Sequence, residues 1–192
     1  MLDIEPLERR DLLTLSFWSV ELYQDDKGCP GLKITDDTVI VGEQFHVRIF
    51  AEDRRVDPKS IAGVQPGIAG ASIDVDWDSS LLTLLDLQVT DDLPIFRSQQ
   101  VDSGHVNDLR GASFSSAQIG RPIGGLVPEE FATLRFDAGF IGDTEIGVDI
   151  GADGVAMLPY VYSRLPFQHV FESQQIHIVY GCKAIEPIPE RR

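Results

Sequence analysis

Between residues 70 and 78 the chain alternates without interruption. Ala71, Ile73, Val75 and Trp77 fall on one side, and Ser72, Asp74, Asp76 and Asp78 on the other. Successive side chains of a β-strand point to opposite faces, so this stretch predicts a strand with one apolar and one acidic face. The same pattern recurs at residues 17–23, where Trp18, Val20 and Leu22 oppose Phe17, Ser19, Glu21 and Tyr23. It returns at 44–50, with Phe45, Val47 and Ile49 inward and Gln44, His46 and Arg48 outward. At 131–136 Ala132, Leu134 and Phe136 oppose Thr133 and Arg135, and at 145–150 Ile146, Val148 and Ile150 oppose Gly147 and Asp149. Weaker strands are expected at 32–34, 39–41, 98–107 (with Val101 inward), 112–119 (small residues around Phe114) and 175–180. The leucine-rich run 81–87 reads as core. Gly, Pro and Asp punctuate the strands at 24–31, 54–70, 91–94, 120–128 and 151–172, and Asp108-Leu109-Arg110-Gly111 reads as a turn. No segment carries a convincing helical period, and no internal repeat is visible. About nine or ten short strands separated by such turns predict an all-β fold, a β-sandwich or jelly roll.

Length and charge narrow the class. The 192 residues suit one domain: an N-terminal arm over 1–16, a sandwich over 17–182, and a Pro-rich, charged linker over 183–192. The net charge of −15 has the wrong sign for nucleic acid or an anionic membrane surface. It suits solubility alone, or a surface that meets cations or basic partners. No apolar run approaches the ~18 residues of a membrane span. Residues 12–20 are too short, and too interrupted by Thr14 and Ser16, to read as a secretory signal. The two cysteines, Cys29 and Cys182, match neither a zinc site nor a Cys-x-x-Cys motif. Two free thiols and one long-range disulfide both stay open; a bridge would close a loop of roughly 150 residues, worth about 4–5 kcal/mol in the chain-entropy picture.

Two resemblances add to this reading. Glu5-Pro6-Leu7-Glu8-Arg9-Arg10-Asp11-Leu12-Leu13 resembles the Leu-Glu-Pro-Arg-x-Leu-Leu element of large bacterial secreted and surface proteins, with Leu7-Glu8 intervening between Pro and Arg. It implies an extracellular or cell-surface location. The remainder resembles the cohesin domain over residues 17–180. Val41-Gly42-Glu43-Gln44-Phe45-His46-Val47 matches that family's early Gly-acid-x-Phe-x-Val strand. Residues 70–82 match its alternating strand ending in aromatic-Asp followed by Leu, and Ala132-Thr133-Leu134-Arg135-Phe136 and Gly142-Asp143-Thr144-Glu145-Ile146 match two later strands, in the same order. The loop 54–67 and the long connection before the last strand depart from the family pattern. The resemblance implies a nine-stranded jelly-roll β-sandwich whose first and last strands lie side by side, which supports a Cys29–Cys182 disulfide. It also implies a non-catalytic module that binds dockerin modules on one flattened sheet including residues 71–77.

The candidate chemistry is that of a contact surface. Ser79-Ser80 and Ser115-Ser116 lack a Gly-x-Ser-x-Gly context. Carboxylates are too many to single out a glycosidase pair. His46 and His177 read as surface imidazoles, while His105, near Asp102 and Asn107, joins the contact surface. No cofactor is required. Calcium is the one ion to test, since it takes about six to eight oxygens from loops. Asp25-Asp26, Asp36-Asp37, Asp91-Asp92 and Asp149 with Asp153 are its candidates, none with EF-hand spacing. Under the cohesin resemblance, Ser72, Asp74 and Asp76 share a sheet face with Asp102, His105, Asn107, Ser113, Ser115 and Asp149, a flat acidic surface for a dockerin-like partner bearing Lys or Arg. The alternatives are a polysaccharide-binding sandwich, with Trp18, Phe50, Tyr160 and Tyr162 as the stacking aromatics, and a structural or adhesive module of a large surface protein.

Overall fold

A computed structural model describes residues 15–55, 66–97, 100–113, 120–125, 127–158, 161–163 and 169–181. Residues 1–14 of the terminal arm and the whole linker lie outside these, as do Ser115, Tyr160 and Cys182. Among the described residues there are fourteen strands and no helix: β1 (Ser16–Asp26), β2 (Cys29–Ile34), β3 (Thr38–Ile40), β4 (Gln44–Asp53), β5 (Gly67–Asp76), β6 (Leu82–Val89), β7 (Ile95–Arg97), β8 (Gln100–Asp102), β9 (His105–Ala112), β10 (Glu129–Ala138), β11 (Gly142–Leu158), β12 (Val161–Ser163), β13 (His169–Phe171) and β14 (Gln174–Val179). They form two sheets. The smaller has six strands in the order β13-β1-β4-β10-β6, with β2 on β1; the larger has eight in the order β3-β14-β11-β5-β9-β7, with β12 on β11 and β8 on β9.

The alternating segments supply the core between the sheets. Trp18, Val20 and Leu22 of β1, Phe45, Val47 and Ile49 of β4, and Leu134 and Phe136 of β10 meet Ile73 and Val75 of β5, Leu109 of β9, and Ile176 and Ile178 of β14. Trp77, just past β5, packs edge-on to Phe136 at 5.2 Å and ties the two sheets together. The all-β sandwich expected from the pattern is the fold observed.

Four local expectations are corrected. The run 81–87 is not uniformly core: Leu82 is buried, Leu84 and Leu87 are partly buried, and Leu85 is 42% exposed. The reason is position, since β6 is an edge strand. Asp108-Leu109-Arg110-Gly111 is no turn but the middle of β9, and that strand ends at Ala112 instead of beginning there. Val101 shares the inner side with its register partner Val106, yet stays 51% exposed because β8 lies at the margin of the sheet. The last strand, β14, does not lie beside β1. It pairs with β11 and β3 in the larger sheet, and the short β13 runs parallel to β1 instead. Cys29 is a free, exposed thiol at the start of β2.

His46 also departs from expectation. It faces outward from β4 but is only 3% exposed. The β1–β2 hairpin covers it through a two-residue turn, Lys27-Gly28, with φ of 56° and 87°. Positive φ at both positions gives the type I′ twist that matches paired strands. Asp25 fixes the hairpin by accepting the Gly28 N–H at 3.1 Å and pairing with His46 Nε2 at 2.9 Å.

The β1–β13 contact carries a pH dependence. Ser16 Oγ accepts the Trp18 indole N–H at 2.8 Å and lies 2.7 Å from His169 Nδ1. His169 is 6% exposed, and burial lowers its imidazole from 6.5 to about 4. The unfolded chain takes up this proton below pH 6.5 while the folded chain refuses it until about pH 4. Stability from this group is therefore lost as pH falls across that window, by at most about 3.5 kcal/mol at ~1.4 kcal/mol per pH unit. Urea titrations at pH 7, 5.5 and 4 should show a steeper decline for the native chain than for His169→Gln. Parallel declines would show that His169 does not reside in an apolar setting.

Candidate partner-binding face

The outer side of the larger sheet gathers most of the acids expected from the sequence, and strand register sets their spacing. Asp149 of β11 and Asp74 of β5 are direct partners. Gly147, Asp76 and His105 form the next row across β11, β5 and β9, and Asp102 of β8 continues it as the partner of His105. Beyond these lie Glu145 opposite Gln175 and Asp143 opposite His177. Directly paired residues of an antiparallel ladder lie side by side, with Cβ atoms about 5 Å apart. Acids opposed in this way repel each other unless a cation lies between them.

Two histidines supply such cations, His105 between Asp76 and Asp102 and His177 beside Asp143, while Asp74 and Asp149 accept the backbone N–H groups of Asp108 and Ile150. His105 Nδ1 pairs with Asp76, and its Nε2 bonds Asn107 Oδ1 at 2.5 Å. Both partners are acceptors, so the imidazolium, which donates from both nitrogens, is the form that fits. The bond to Asn107, then that to Asp76, raises this imidazole above its usual value. His177 Nδ1 lies 2.8 Å from Asp143, and that bond raises it likewise.

Asp108 organises the middle of the face. Two residues of β9, Asn107 and Asp108, oppose the single Asp74, so β9 bulges there and Asp108 takes a φ of 51°. Its N–H donates to Asp74 Oδ1 at 2.8 Å. Its carboxylate is covered by the β11 strand on the outer side, where Oδ1 accepts the Ser72 hydroxyl and the Ala152 N–H, each at 2.7 Å, and Arg110 lies 3.4 Å from Oδ2. Burial works to raise this carboxyl, but the Ser72 and Ala152 bonds and the Arg110 charge outweigh it and hold it low. Opposite, β11 carries its own bulge, Gly151 to Gly154, between the Ile150 and Val155 pairs. A Cβ on Gly151 would come within 2.4 Å of Ser72 Oγ and 2.9 Å of Asp108 Oδ1, so glycine lets the bulge sit down on the hub. Asp153 at its tip pairs with Arg110 at 2.9 Å.

Not every expected residue is a contact residue. Asp76, Asp102 and Asp149 are exposed, and Asp74, His105 and Asn107 are partly exposed. Ser72 points outward yet is 0% exposed because the β11 bulge covers it, and Ser113 is 3% exposed. Both are corrected from surface to interior. Asp108, Arg110 and Gly151 were absent from the expected set and Asp153 was considered only for calcium, their segments having read as a turn and a connection. Gly-Ala-Asp-Gly at 151–154 was the available signal, since glycines inside a strand mark bulges and close approaches.

Among the described residues no group of His, Cys, Asp or Glu is arranged to hold a metal. Six of the eight acids considered for calcium have other partners: Asp25 with His46, Asp36 with the Thr38 N–H, Asp37 with Gln174, Asp92 with Arg121, Asp149 with the Ile150 N–H, and Asp153 with Arg110. No helix among the described residues is long and apolar enough to cross a membrane.

A two-sheet sandwich with this strand order defines an all-β sandwich class. The fold is that of cohesin modules. The chain superposes on the seventh ScaB type I cohesin of Pseudobacteroides cellulosolvens with a TM-score of 0.56 and 14% identity, covering 92% of this chain and 97% of that one. It matches the cohesin module of a Clostridium perfringens family 33 glycoside hydrolase with a TM-score of 0.55 and 15% identity, covering 88% and 99%. A chain of a type I cohesin–dockerin complex from Clostridium thermocellum matches with a TM-score of 0.52 and 13% identity, covering 84% and 99%. No family model and no curated protein matches the sequence.

Proposed function

We propose that this chain is a non-catalytic, extracellular protein-binding module that takes a dockerin-type partner on the outer face of the larger sheet. The observation that carries the reading is the register-matched set of acids, Asp149 beside Asp74 and Asp76 beside His105, held level by the buried Asp108. The cohesin fold supports it, since a solved neighbour comes from a cohesin–dockerin complex. A flat carboxylate face favours Lys or Arg on the partner, with fast, salt-sensitive association. The polysaccharide alternative loses two of its four stacking aromatics, since Trp18 is 0% exposed and Phe50 lies under the Arg48 guanidinium at 5.0 Å; Tyr160 and the side chain of Tyr162 lie outside the described residues.

Calorimetry against a panel of dockerin modules tests the proposal. Binding should weaken as salt is added. Asp76→Lys with Asp149→Lys should lower affinity about tenfold or more, mainly through the association rate. Both sites are exposed, so the melting temperature should hardly move. Silence across the panel, or binding indifferent to both substitutions, would sink the reading.

A further inference from the structure

The outer side of the larger sheet is not acidic throughout. At the end formed by β3 and β14, Ile40 and Val179 are register partners on the outer side. Ile141 lies one position beyond the Gly142–Ile178 pair and continues the row. These three are 36%, 38% and 44% exposed, while Phe140, ahead of β11, and Tyr180, just after β14, are 68% and 77% exposed. Val39 and Ile178, their neighbours in sequence, point into the core. The outward set therefore has no interior to enter. Single exposed apolar residues are ordinary, but a contiguous group of large ones marks a contact surface.

The backbone beneath is firmly tied. Val41 N–H donates to Val179 O at 2.9 Å, Gly42 N–H to Ala138 O at 2.7 Å, Glu43 N–H to Ile40 O at 3.0 Å, and Ala138 N–H to Glu43 O at 3.1 Å. Gly181 abuts Ile40, since a Cβ there would stand 2.8 Å from Ile40 Cγ2. Such a platform loses little conformational freedom on binding. The next rows inward carry Asp143 beside His177 and Glu145 beside Gln175, so acids border the apolar row on the side of the proposed docking face.

We propose that this row is the apolar half of the docking surface and that it engages a protein segment whose large apolar side chains are flanked by Lys or Arg. The apolar groups seat on Ile40, Ile141 and Val179, with Phe140 and Tyr180 next along the chain at the end of the row, and the cations reach Asp143 and Glu145. A second copy of this chain is a poor occupant, because two surfaces of a molecule with net charge −15 repel. The inference rests on the reading above only in taking this side of the sheet as the docking side; it adds what the partner must present.

The test is an amide-shift titration of the full chain with synthetic peptides of equal length: an amphipathic Lys/Leu peptide, a Lys/Ser peptide and a Glu/Leu peptide. The Lys/Leu peptide should bind, with shifts concentrated at residues 38–41, 140–145 and 177–181, and the other two should bind at least about tenfold more weakly. Phe140→Ser with Tyr180→Ser should remove that advantage and leave the melting temperature within about 2 °C, as expected for exposed positions. Equal binding of the Lys/Ser peptide, shifts centred elsewhere, or an unaffected double variant overturns the inference. So does a concentration-dependent dimer abolished by that variant, which would make a second copy the occupant. Contacts from Ile185 or Ile188 to Phe140 or Tyr180 in the free chain would assign the row to its own tail and overturn it equally. A dockerin that binds indifferently to Phe140→Ser with Tyr180→Ser defeats this inference alone; Lys/Leu binding with a silent dockerin panel defeats only the earlier reading.

Discussion

Trp18→Ala should lower stability by about 3–5 kcal/mol, the range for removing a large aromatic from a packed interior. Typical domains hold about 5–15 kcal/mol in total, so the loss is a large share. The indole is 0% exposed, meets the Phe131 ring edge-on at 5.2 Å, and stacks on Phe171 at 5.7 Å. Phe171 belongs to β13, and the indole N–H reaches Ser16 Oγ, which lies against His169 of the same strand. The substitution therefore leaves a cavity and also removes the main anchor of β13 to β1. Trp18→Phe keeps most of the ring area and should cost less than half as much. Urea midpoints of the two variants against the native chain measure this. A loss under ~1 kcal/mol for Trp18→Ala would place the residue outside the core and reopen the sugar-stacking role considered for it.

How far the sequence reveals this molecule depends on whether a feature is local. The alternation of β1, β4, β5 and β10 is legible because each strand lies between a core and an outer surface, and period two records that directly. The leucines of 81–87 mislead because the same residues occur in buried and in edge strands, and edge position is settled by β10, far along the chain. Asp108-Leu109-Arg110-Gly111 misleads for a related reason. A bulge with a positive-φ aspartate uses the residue types of a turn. Within the candidate face, Asp74, Asp76 and Asp149 were readable because outwardness follows from strand parity, whereas His105 was picked out by its neighbours Asp102 and Asn107 and faces outward because the chain turns between β8 and β9. The burial of Ser72 was not, since its cover comes from the β11 bulge, and the burial of His46 depends on a hairpin from β1 and β2. The apolar row was hidden for the same reason: Ile40, Ile141 and Val179 come from three segments that only sheet pairing brings together.

Asp108→Ala should cost about 2–4 kcal/mol, since it strips the acceptor from two donors, one of them a buried hydroxyl. Those donors are Ser72 Oγ and the Ala152 N–H, and the Asp74–Asp108 bulge loses its fixed geometry with them. Asp108→Asn keeps the acceptor oxygen and tolerates the positive φ, and should retain most of the stability. Hydrogen exchange separates a local from a global effect. The Ala152 amide should exchange much faster in Asp108→Ala, while amides in the middle of β4 follow only the change in global stability. Gly151→Ala approaches the same hub from the other side, because its Cβ would stand 2.4 Å from Ser72 Oγ and push the bulge off the sheet. Ser72→Ala removes the nearer of the two atoms in the way, leaving Asp108 Oδ1 at 2.9 Å. The double variant Gly151→Ala with Ser72→Ala should therefore be more stable than the sum of the single losses by about 1 kcal/mol, the size of coupling expected between touching residues. Strictly additive losses would mean that the β11 bulge does not seat on Ser72. The level acidic face would then have to be set by the strands alone.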